Sequence, residues 1–331
     1  MLFLGIDAGG TKTHALLTDE SGAVLGFGHA GPGNWEGVGV DGTYRALHEA
    51  TREALAHVGA APADVTAAAY GLSGLDWPSD EERLHPAIER MGVGGPQILV
   101  NDAFVALRAG APWGVVVIAG TGTTCAGRNR KGETARTLGL GWRFDDWGAA
   151  PEVAGACIQA VAQAYTGHGP QTSLTGCLIK LFDAQDDGDL LEKLSRGKCD
   201  FRTHVAEIIQ ALADEACKGD TPAVKVSWRG GRELGERAAT VIRRLRMQKE
   251  TFDVVLAGGL FHTHNPVLLE ALGETMRTVA PHAHLSPLEA PPVVGSVLLA
   301  MDATGMEPST ETRHRLIEEI RHTFSASTTA P

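Results

Sequence analysis

The chain has 331 residues, 43% of them hydrophobic and 21% charged, so it can bury two cores without a disulfide or metal to hold them. Its 29 basic and 40 acidic residues give a net charge of −11, which argues against nucleic acids and anionic membranes as partners. There is no apolar run of about 18 residues, no basic leader and no CxxC pair among the five cysteines. These features predict a cytoplasmic protein with reduced thiols and two domains.

The first thirty residues predict an antiparallel meander. An apolar run over residues 2–6 enters a glycine-rich turn, and two further runs, 14–18 and 24–27, are separated by a Ser21–Gly22 turn. The following segments alternate between the helical and the extended pattern. Helices are predicted at 41–57 and 79–91, and strands at 65–72 and 97–100.

A second meander is predicted from residue 113. The β-branched run 115–119 indicates a buried strand, which enters the turn Gly120–Thr123 and leaves as another strand. The order strand, glycine turn, strand therefore occurs twice, at 6–11 and at 118–123, which indicates two related domains.

The remaining chain is mainly helical in pattern, with one more strand at 252–257 that ends in Gly258–Gly259. Helices are predicted at 265–277, 292–304 and 309–323, and Gly230–Gly231 is expected to kink or break an earlier helix. The domain boundary is placed near residue 115, giving domains 1–115 and 116–331. Alternatively, the last helices pack back on the first domain.

The motif DAGGTKT at 7–13 resembles a P-loop, but Thr11 interrupts the spacing and the turn opens a strand rather than a helix. The physical properties of a glycine turn still apply, because missing Cβ atoms let backbone N–H groups approach a phosphate. A tight hairpin that merely requires glycine is the alternative. The threonine-rich turn AGTGTT at 119–124 and the turn LAGGLF at 256–261 favour the phosphate interpretation.

In their order, these three glycine sites resemble the phosphate-1, phosphate-2 and adenosine motifs of the actin/hexokinase/heat-shock-70 superfamily. Within it the chain is similar to the BadF/BadG/BcrA/BcrD ATPase family, in its N-acetylglucosamine kinase branch. Further motifs that carry the resemblance are PGNW at 32–35, GLSGLD at 71–76, VNDA at 100–103 and PPVVGSVLLAM at 291–301. The resemblance implies an α/β, ribonuclease H-like fold of two lobes, with mixed sheets flanked by helices around a central cleft.

The resemblance also implies an ATP-dependent kinase that phosphorylates the 6-hydroxyl of N-acetylglucosamine or a related amino sugar or hexose. Asp102 would be the general base, since phosphoryl transfer needs a carboxylate beside the attacking hydroxyl. The alternative is that Asp102 only caps the helix that follows it. Asp7 would hold Mg²⁺ through water. ATP would be bound by residues of the three glycine sites: Gly9, Gly10, Thr11, Lys12, Thr13, Gly120, Thr121, Gly122, Thr123, Gly258 and Gly259.

The sugar site implied by the resemblance combines residues from several loops. They are Asn34, Trp35, Ser73, Gly74, Asp102, Thr121, Gly122 and Asp146. Asp146 stands where the family has the aspartate of GDEGS, but Trp147 replaces the glutamate of that motif and Ala149 its serine. These changes affect the sugar pocket, so the sequence leaves N-acetylglucosamine, glucosamine, N-acetylmuramic acid and a plain hexose open.

Two other functions are compatible with the same superfamily. An iron–sulfur ATPase that activates a 2-hydroxyacyl-CoA dehydratase would need a pair of ligating cysteines, for which Cys125 and Cys157 are the candidates. A sugar sensor without catalysis is disfavoured by the presence of Asp102 and both phosphate turns. The family resemblance further suggests a homodimer.

Overall fold

The computed structural model describes residues 1–144 and 146–327, and the chain divides into two compact units. Unit 1 comprises Met1–Trp113 and Leu288–Pro331, and unit 2 comprises Gly114–Pro287. The division therefore falls close to residue 115, and the last helices belong to the first unit rather than to an uninterrupted second domain. None of the described helices is both long and apolar enough to cross a membrane.

Ten strands form two five-stranded sheets within the described residues. In chain order they are β1 Phe3–Ala8, β2 Thr13–Thr18, β3 Val24–Ala30, β4 Ala67–Leu72, β5 Gln97–Asn101, β6 Gly114–Ala119, β7 Thr123–Arg128, β8 Thr134–Arg136, β9 Asp253–Ala257 and β10 His284–Pro287.

The strand order is β3-β2-β1-β4-β5 in unit 1 and β10-β9-β6-β7-β8 in unit 2. In each sheet the first strand of the unit is central, antiparallel to the strand that follows it and parallel to a later strand. The two units thus have the same topology, as the repeated glycine turn indicates.

Twelve α-helices accompany these sheets in the described part of the chain. They are α1 Trp35–Ala56, α2 Pro78–Glu89, α3 Asp102–Gly110, α4 Ala150–Thr166, α5 Leu174–Leu181, α6 Asp187–Ser195, α7 Val205–Cys217, α8 Thr221–Arg244, α9 Gly259–His262, α10 Pro266–Arg277, α11 Pro292–Asp302 and α12 Thr310–Ser327.

Helix α8 runs unbroken through Gly230 and Gly231, so the predicted kink or break at this pair is wrong. The glycines serve packing instead. A Cβ at Gly231 would overlap the carbonyl oxygen of Leu268, and one at Gly235 would lie 2.7 Å from the Cβ of Thr275. Both contacts are with α10, so the glycines let the two helices approach backbone to backbone.

Side chains of β1 alternate between two hydrophobic layers of unit 1, as the period of two in a strand requires. Leu4 and Ile6 face a core cluster that includes Leu47 of α1. Phe3 faces another cluster, built with α3, α11 and α12. By the same alternation Asp7 lies on the α3 and α11 side of the sheet.

Candidate active site

Three parallel strands of unit 1 end at the same level. In the register of the sheet Ala8 pairs with Leu72, and Leu72 pairs with Asn101. The residues at or just beyond these strand ends are therefore neighbours at one edge of the sheet. Asp7, Ser73 and Asp102, which the sequence analysis assigned to metal, sugar and proton transfer, are brought together in this way.

Asp102 is the first residue of α3, whereas Asn101 is its N-cap. The Asn101 side-chain oxygen accepts a hydrogen bond from the backbone N–H of Ala103 at 3.1 Å, and its amide donates to the Leu75 carbonyl oxygen at 3.3 Å. The capping interaction that could have explained an aspartate here is thus made by the residue before it. Asp102 is half-buried in the first turn of the helix, where the helix dipole places partial positive charge.

Asp7 is half-buried, one residue before the end of β1. Burial, and secondly the negative charge of Asp102, raise the pKa of Asp7 to about 7, while Lys12 opposes this shift. Two half-buried carboxylates held near each other favour a cation between or beside them. Their oxygen donors suit Mg²⁺, which keeps several waters and takes its other ligands from phosphates. The residues present therefore fit a magnesium ion held through Asp7.

The β1–β2 turn is closed by a hydrogen bond from the Gly9 N–H to the Lys12 carbonyl oxygen at 2.9 Å. Its outer residues, Gly10, Thr11 and Lys12, are exposed. The Gly9 carbonyl oxygen accepts hydrogen bonds from the N–H groups of Gly33 and Asn34, at 2.9 and 3.2 Å. The turn and the loop that carries Asn34 are thereby fixed to each other.

The candidate sugar residues of unit 1 form one contiguous group. The Trp35 indole N–H donates to the Gly74 carbonyl oxygen at 2.6 Å, and the Ser73 N–H donates to the Ala8 carbonyl oxygen at 3.0 Å. Gly74 has φ +83°, and a Cβ there would lie 2.6 Å from the side-chain oxygen of Asn34. The Asn34 oxygen caps α1 by accepting from the Glu36 N–H at 2.9 Å. The structure thus brings Asn34, Trp35, Ser73 and Gly74 beside the β1–β2 turn.

The second and third glycine sites meet in unit 2. Gly258 has φ +103°, and a Cβ on it would lie 2.5 Å from the Ala119 carbonyl oxygen and 2.9 Å from the Gly120 nitrogen. The Gly120 N–H donates to the Gly122 carbonyl oxygen, and the Gly120 carbonyl oxygen accepts from the Ala150 N–H, both at 2.9 Å. The β6–β7 turn, the Gly258–Gly259 pair and the start of α4 therefore form one backbone assembly.

Two threonine hydroxyls in this assembly lack partners. The side-chain oxygens of Thr123 and Thr124 are buried and make no hydrogen bond within the described residues. A buried hydroxyl without a partner costs free energy. Thr121 and Gly122, at the tip of the turn, are exposed.

Asp146 is buried in unit 2. Its carboxylate accepts a hydrogen bond from the Leu140 N–H at 2.7 Å and lies 3.6 Å from the Nε of Arg237 on α8. The next residue, Trp147, has the guanidinium of Arg229 stacked 4.1 Å from its ring centroid. The Asp146 carboxylate therefore holds its own loop together, and α8 supports that loop at two points.

Several residues that organise the site were absent from the sequence predictions. Asn101 could have been recognised, because an asparagine between a strand and a helix is a typical N-cap. Arg237 carries no such local signal, because its partner Asp146 is distant in sequence. Of the predicted residues, one group meets in unit 1, around Asp7 and Asp102, and the other in unit 2, around Gly120 and Gly258.

Two sheets of identical topology, each with a glycine turn after its central strand, define the class as the actin-like ATPases. The chain belongs to the BadF/BadG/BcrA/BcrD ATPase family, whose model matches residues 4–300. ATP is accordingly the nucleotide of this chain. The expected α/β fold and family are both confirmed.

Characterised relatives cover nearly the whole chain. An N-acetylmuramic acid/N-acetylglucosamine kinase of Clostridium acetobutylicum is 27% identical, over 90% of this chain and 97% of its own. An N-acetyl-D-glucosamine kinase of Dictyostelium discoideum is 28% identical, over 91% and 98%. The crystal structure of a Chromobacterium violaceum protein, provisionally described as an N-acetylglucosamine kinase, shares the fold with a TM-score of 0.65 and 21% identity, over 90% of this chain and 98% of that one.

Proposed function

We propose that this protein is an ATP-dependent kinase that transfers the γ-phosphate of ATP to the 6-hydroxyl of N-acetylglucosamine or a closely related amino sugar. One observation carries the chemistry: Asn101 caps α3, and the neighbouring Asp102 stands at the same sheet edge as the half-buried Asp7. Asp102 orients the attacking hydroxyl and accepts its proton as the bond to phosphorus forms.

The nucleotide is bound by the glycine turns. The N–H groups of Gly9 and Gly120 close the two turns, whereas those of Gly10 and Gly122 can approach phosphates because no side chain intervenes. The partnerless hydroxyls of Thr123 and Thr124 supply additional donors. Asp7 would hold Mg²⁺, and that ion, when bound, neutralises charge on the phosphates.

Relatives that act on N-acetylglucosamine support the sugar assignment, and so does the group formed by Asn34, Trp35, Ser73 and Gly74. In this proposal Asp146 binds ring hydroxyls, although its present contacts are with Leu140 and Arg237. An additional role for Asp146 is to hold Leu140 in place beside the sugar.

A sugar panel tests the proposal. ADP release is measured with N-acetylglucosamine, glucosamine, N-acetylmuramic acid and glucose, and the phosphorylated position is read by NMR of the product. We expect N-acetylglucosamine to give the highest kcat/KM and a 6-phosphate. Turnover on glucose alone would retain the kinase and reject the acetamido specificity, while no turnover on any sugar would reject the kinase.

The iron–sulfur alternative is poorly supported by the cysteines. Cys125 and Cys157 are both buried in unit 2, and burial raises the pKa of the Cys157 thiol to about 12. A cluster needs thiolates that a metal can reach. No group of three or more metal-ligating side chains occurs in residues 1–144 and 146–327. Anaerobic purification followed by iron analysis should therefore give no stoichiometric iron.

The proposal includes a cytoplasmic homodimer. Five free cysteines are compatible with a reducing compartment, and the dimer rests on the family resemblance. Light scattering coupled to size-exclusion chromatography should give twice the chain mass of 34.8 kDa, and a mass of one chain would reject the dimer.

A further inference from the structure

Helix α11 contacts both elements that carry the carboxylates of the proposed centre. A Cβ at Gly5 of β1 would overlap the backbone nitrogen of Val297, and one at Gly295 would overlap the carbonyl oxygen of Val105 on α3. The backbone of α11 therefore lies directly against β1 and against α3. The strand that carries Asp7 and the helix that begins with Asp102 therefore both pack against this one helix.

Ser296 is the polar link between α11 and β1. The residue has no exposed surface, and its hydroxyl donates a hydrogen bond to the Ile6 carbonyl oxygen at 2.7 Å. Ile6 immediately precedes Asp7. Hydrogen bonds are directional, so this one fixes the last peptide units of β1 in a way that apolar packing of the neighbouring valines does not.

Helix α3 is attached to the same layer through charged groups. Arg108 donates from Nε and Nη2 to the two carboxylate oxygens of Asp302 at the end of α11, at 2.8 and 3.0 Å. Arg313 of α12 donates to the carbonyl oxygens of Ala109 and Gly110, at 2.7 and 2.6 Å. A bidentate pair of this kind is geometrically specific, so α3 is held in position along α11.

We propose that Ser296 is a positioning residue for phosphoryl transfer, which holds β1 on α11 and so fixes Asp7 relative to Asp102. This inference rests on the proposed function. Small displacements matter in such a centre, because both the metal-bound phosphates and the sugar hydroxyl must be aligned by groups on separate elements.

A matched pair of variants separates positioning from stability. Ser296→Ala removes the hydroxyl that binds Ile6. Ser227→Ala removes an equally buried hydroxyl in unit 2, which accepts a hydrogen bond from the Asn265 amide at 2.8 Å. We expect both variants to lower the urea midpoint by similar amounts, since each leaves a buried polar group without its partner.

Only Ser296→Ala should impair phosphoryl transfer and metal binding. We expect its kcat to fall about tenfold, the effect of a displacement well below 1 Å, with the KM for sugar within about twofold of the wild type. Mn²⁺ binding in the presence of ADP, followed by electron paramagnetic resonance, should weaken about tenfold, because Asp7 is displaced from its place beside Asp102. Ser227→Ala should change neither quantity.

Wild-type kcat and Mn²⁺ affinity in Ser296→Ala, with a urea midpoint lowered as in Ser227→Ala, would overturn the proposal. If Ser296→Ala does not fold, Ser296→Cys retains the size of the side chain but donates weakly, and the same two measurements on it decide. Failure of the proposed function is distinguishable, because it would appear as no turnover by the wild type on any sugar. The Mn²⁺ measurement would then still test Ser296.

Discussion

The β1–β2 and β6–β7 hairpins have the same register but different chemistry. The penultimate residue of β1 in unit 1 is Asp7, which pairs with His14. The penultimate residue of β6 in unit 2 is Ile118, which pairs with Thr124. A common backbone thus presents a carboxylate in one unit and an apolar side chain in the other. In our account, unit 1 supplies acid–base and metal chemistry, and unit 2 supplies the adenosine site and part of the phosphate site.

The threonines that begin the second strands sharpen this difference. Thr13 stands opposite Ala8, and Thr123 stands opposite Ala119. The Thr13 hydroxyl donates to the Gly31 carbonyl oxygen at 2.9 Å, whereas the Thr123 hydroxyl is buried and unpartnered in the described structure. One hydroxyl stabilises the fold, and in our account the other serves the nucleotide.

The largest expected effect concerns the glycines at the tips of the turns. A Cβ at Gly10 or at Gly122 meets no atom within 4 Å, so Gly10→Val and Gly122→Val should fold normally. Each should weaken ATP binding about a hundredfold, because the side chain occupies the space through which N–H groups approach phosphate. Calorimetric titration with ATP and with sugar checks this, and the loss of sugar affinity should be much smaller than the loss of ATP affinity.

Gly155→Val is the control for these variants, because the added Cβ likewise meets no atom within 4 Å but lies on α4. It should bind ATP as the wild type does. Equal losses of ATP and sugar affinity in the turn variants would indicate a disturbed fold and reject the assignment.

The next effect concerns the half-buried carboxylate of Asp7. Because burial and Asp102 raise the pKa of Asp7 to about 7, its ionisation at pH 8 lowers the free energy of unfolding. Asp7→Asn should raise the unfolding free energy of the nucleotide-free protein by about 1–3 kcal/mol. Urea unfolding at pH 8 measures it.

The pH dependence has a definite sign. The stability that Asp7 contributes is present below its unfolded pKa and is lost as the pH rises from about 4 to about 7. The difference in unfolding free energy between Asp7→Asn and the wild type should therefore increase over this range. A difference that stays constant over this range would contradict the assigned cause.

The smallest expected effects are changes in the unfolding free energy, which should differ between the two hairpins. Thr13→Val loses a hydrogen bond and should lower the unfolding free energy by about 1 kcal/mol. Thr123→Val replaces an unpartnered buried hydroxyl with a methyl group and should leave stability unchanged or raise it by up to about 1 kcal/mol. Only Thr123→Val should weaken ATP binding directly. Equal destabilisation by both variants would show that the Thr123 hydroxyl does have a partner in the protein.

The sequence predicts much of this architecture because its signals are local. The β-branched run 115–119 and the glycine turns that follow strands are sufficient to predict both hairpins. The sequence does not reveal that Gly230 and Gly231 lie within an unbroken helix, because that depends on how closely α10 approaches. Strand β10 was missed for a similar reason, since its short segment 284–287 is extended only through pairing with β9.

The candidate site shows the same limit. Asp102 is recognisable from its motif, yet only the structure assigns the capping role to Asn101. The contacts of Asp146 with Arg237 and of Ser296 with Ile6 join residues far apart in sequence. A pattern confined to one segment carries no information about such pairs.

Single-turnover phosphoryl transfer in Asp102→Asn tests the central claim most directly. The variant keeps the shape of the side chain and the Asn101 cap, so ATP and N-acetylglucosamine should bind with affinities close to those of the wild type. The rate of sugar phosphate formation should fall about a hundredfold or more, the usual scale for losing a general base. A rate within a few-fold of the wild type, with both ligands bound normally, would show that Asp102 is not the base and contradict the account.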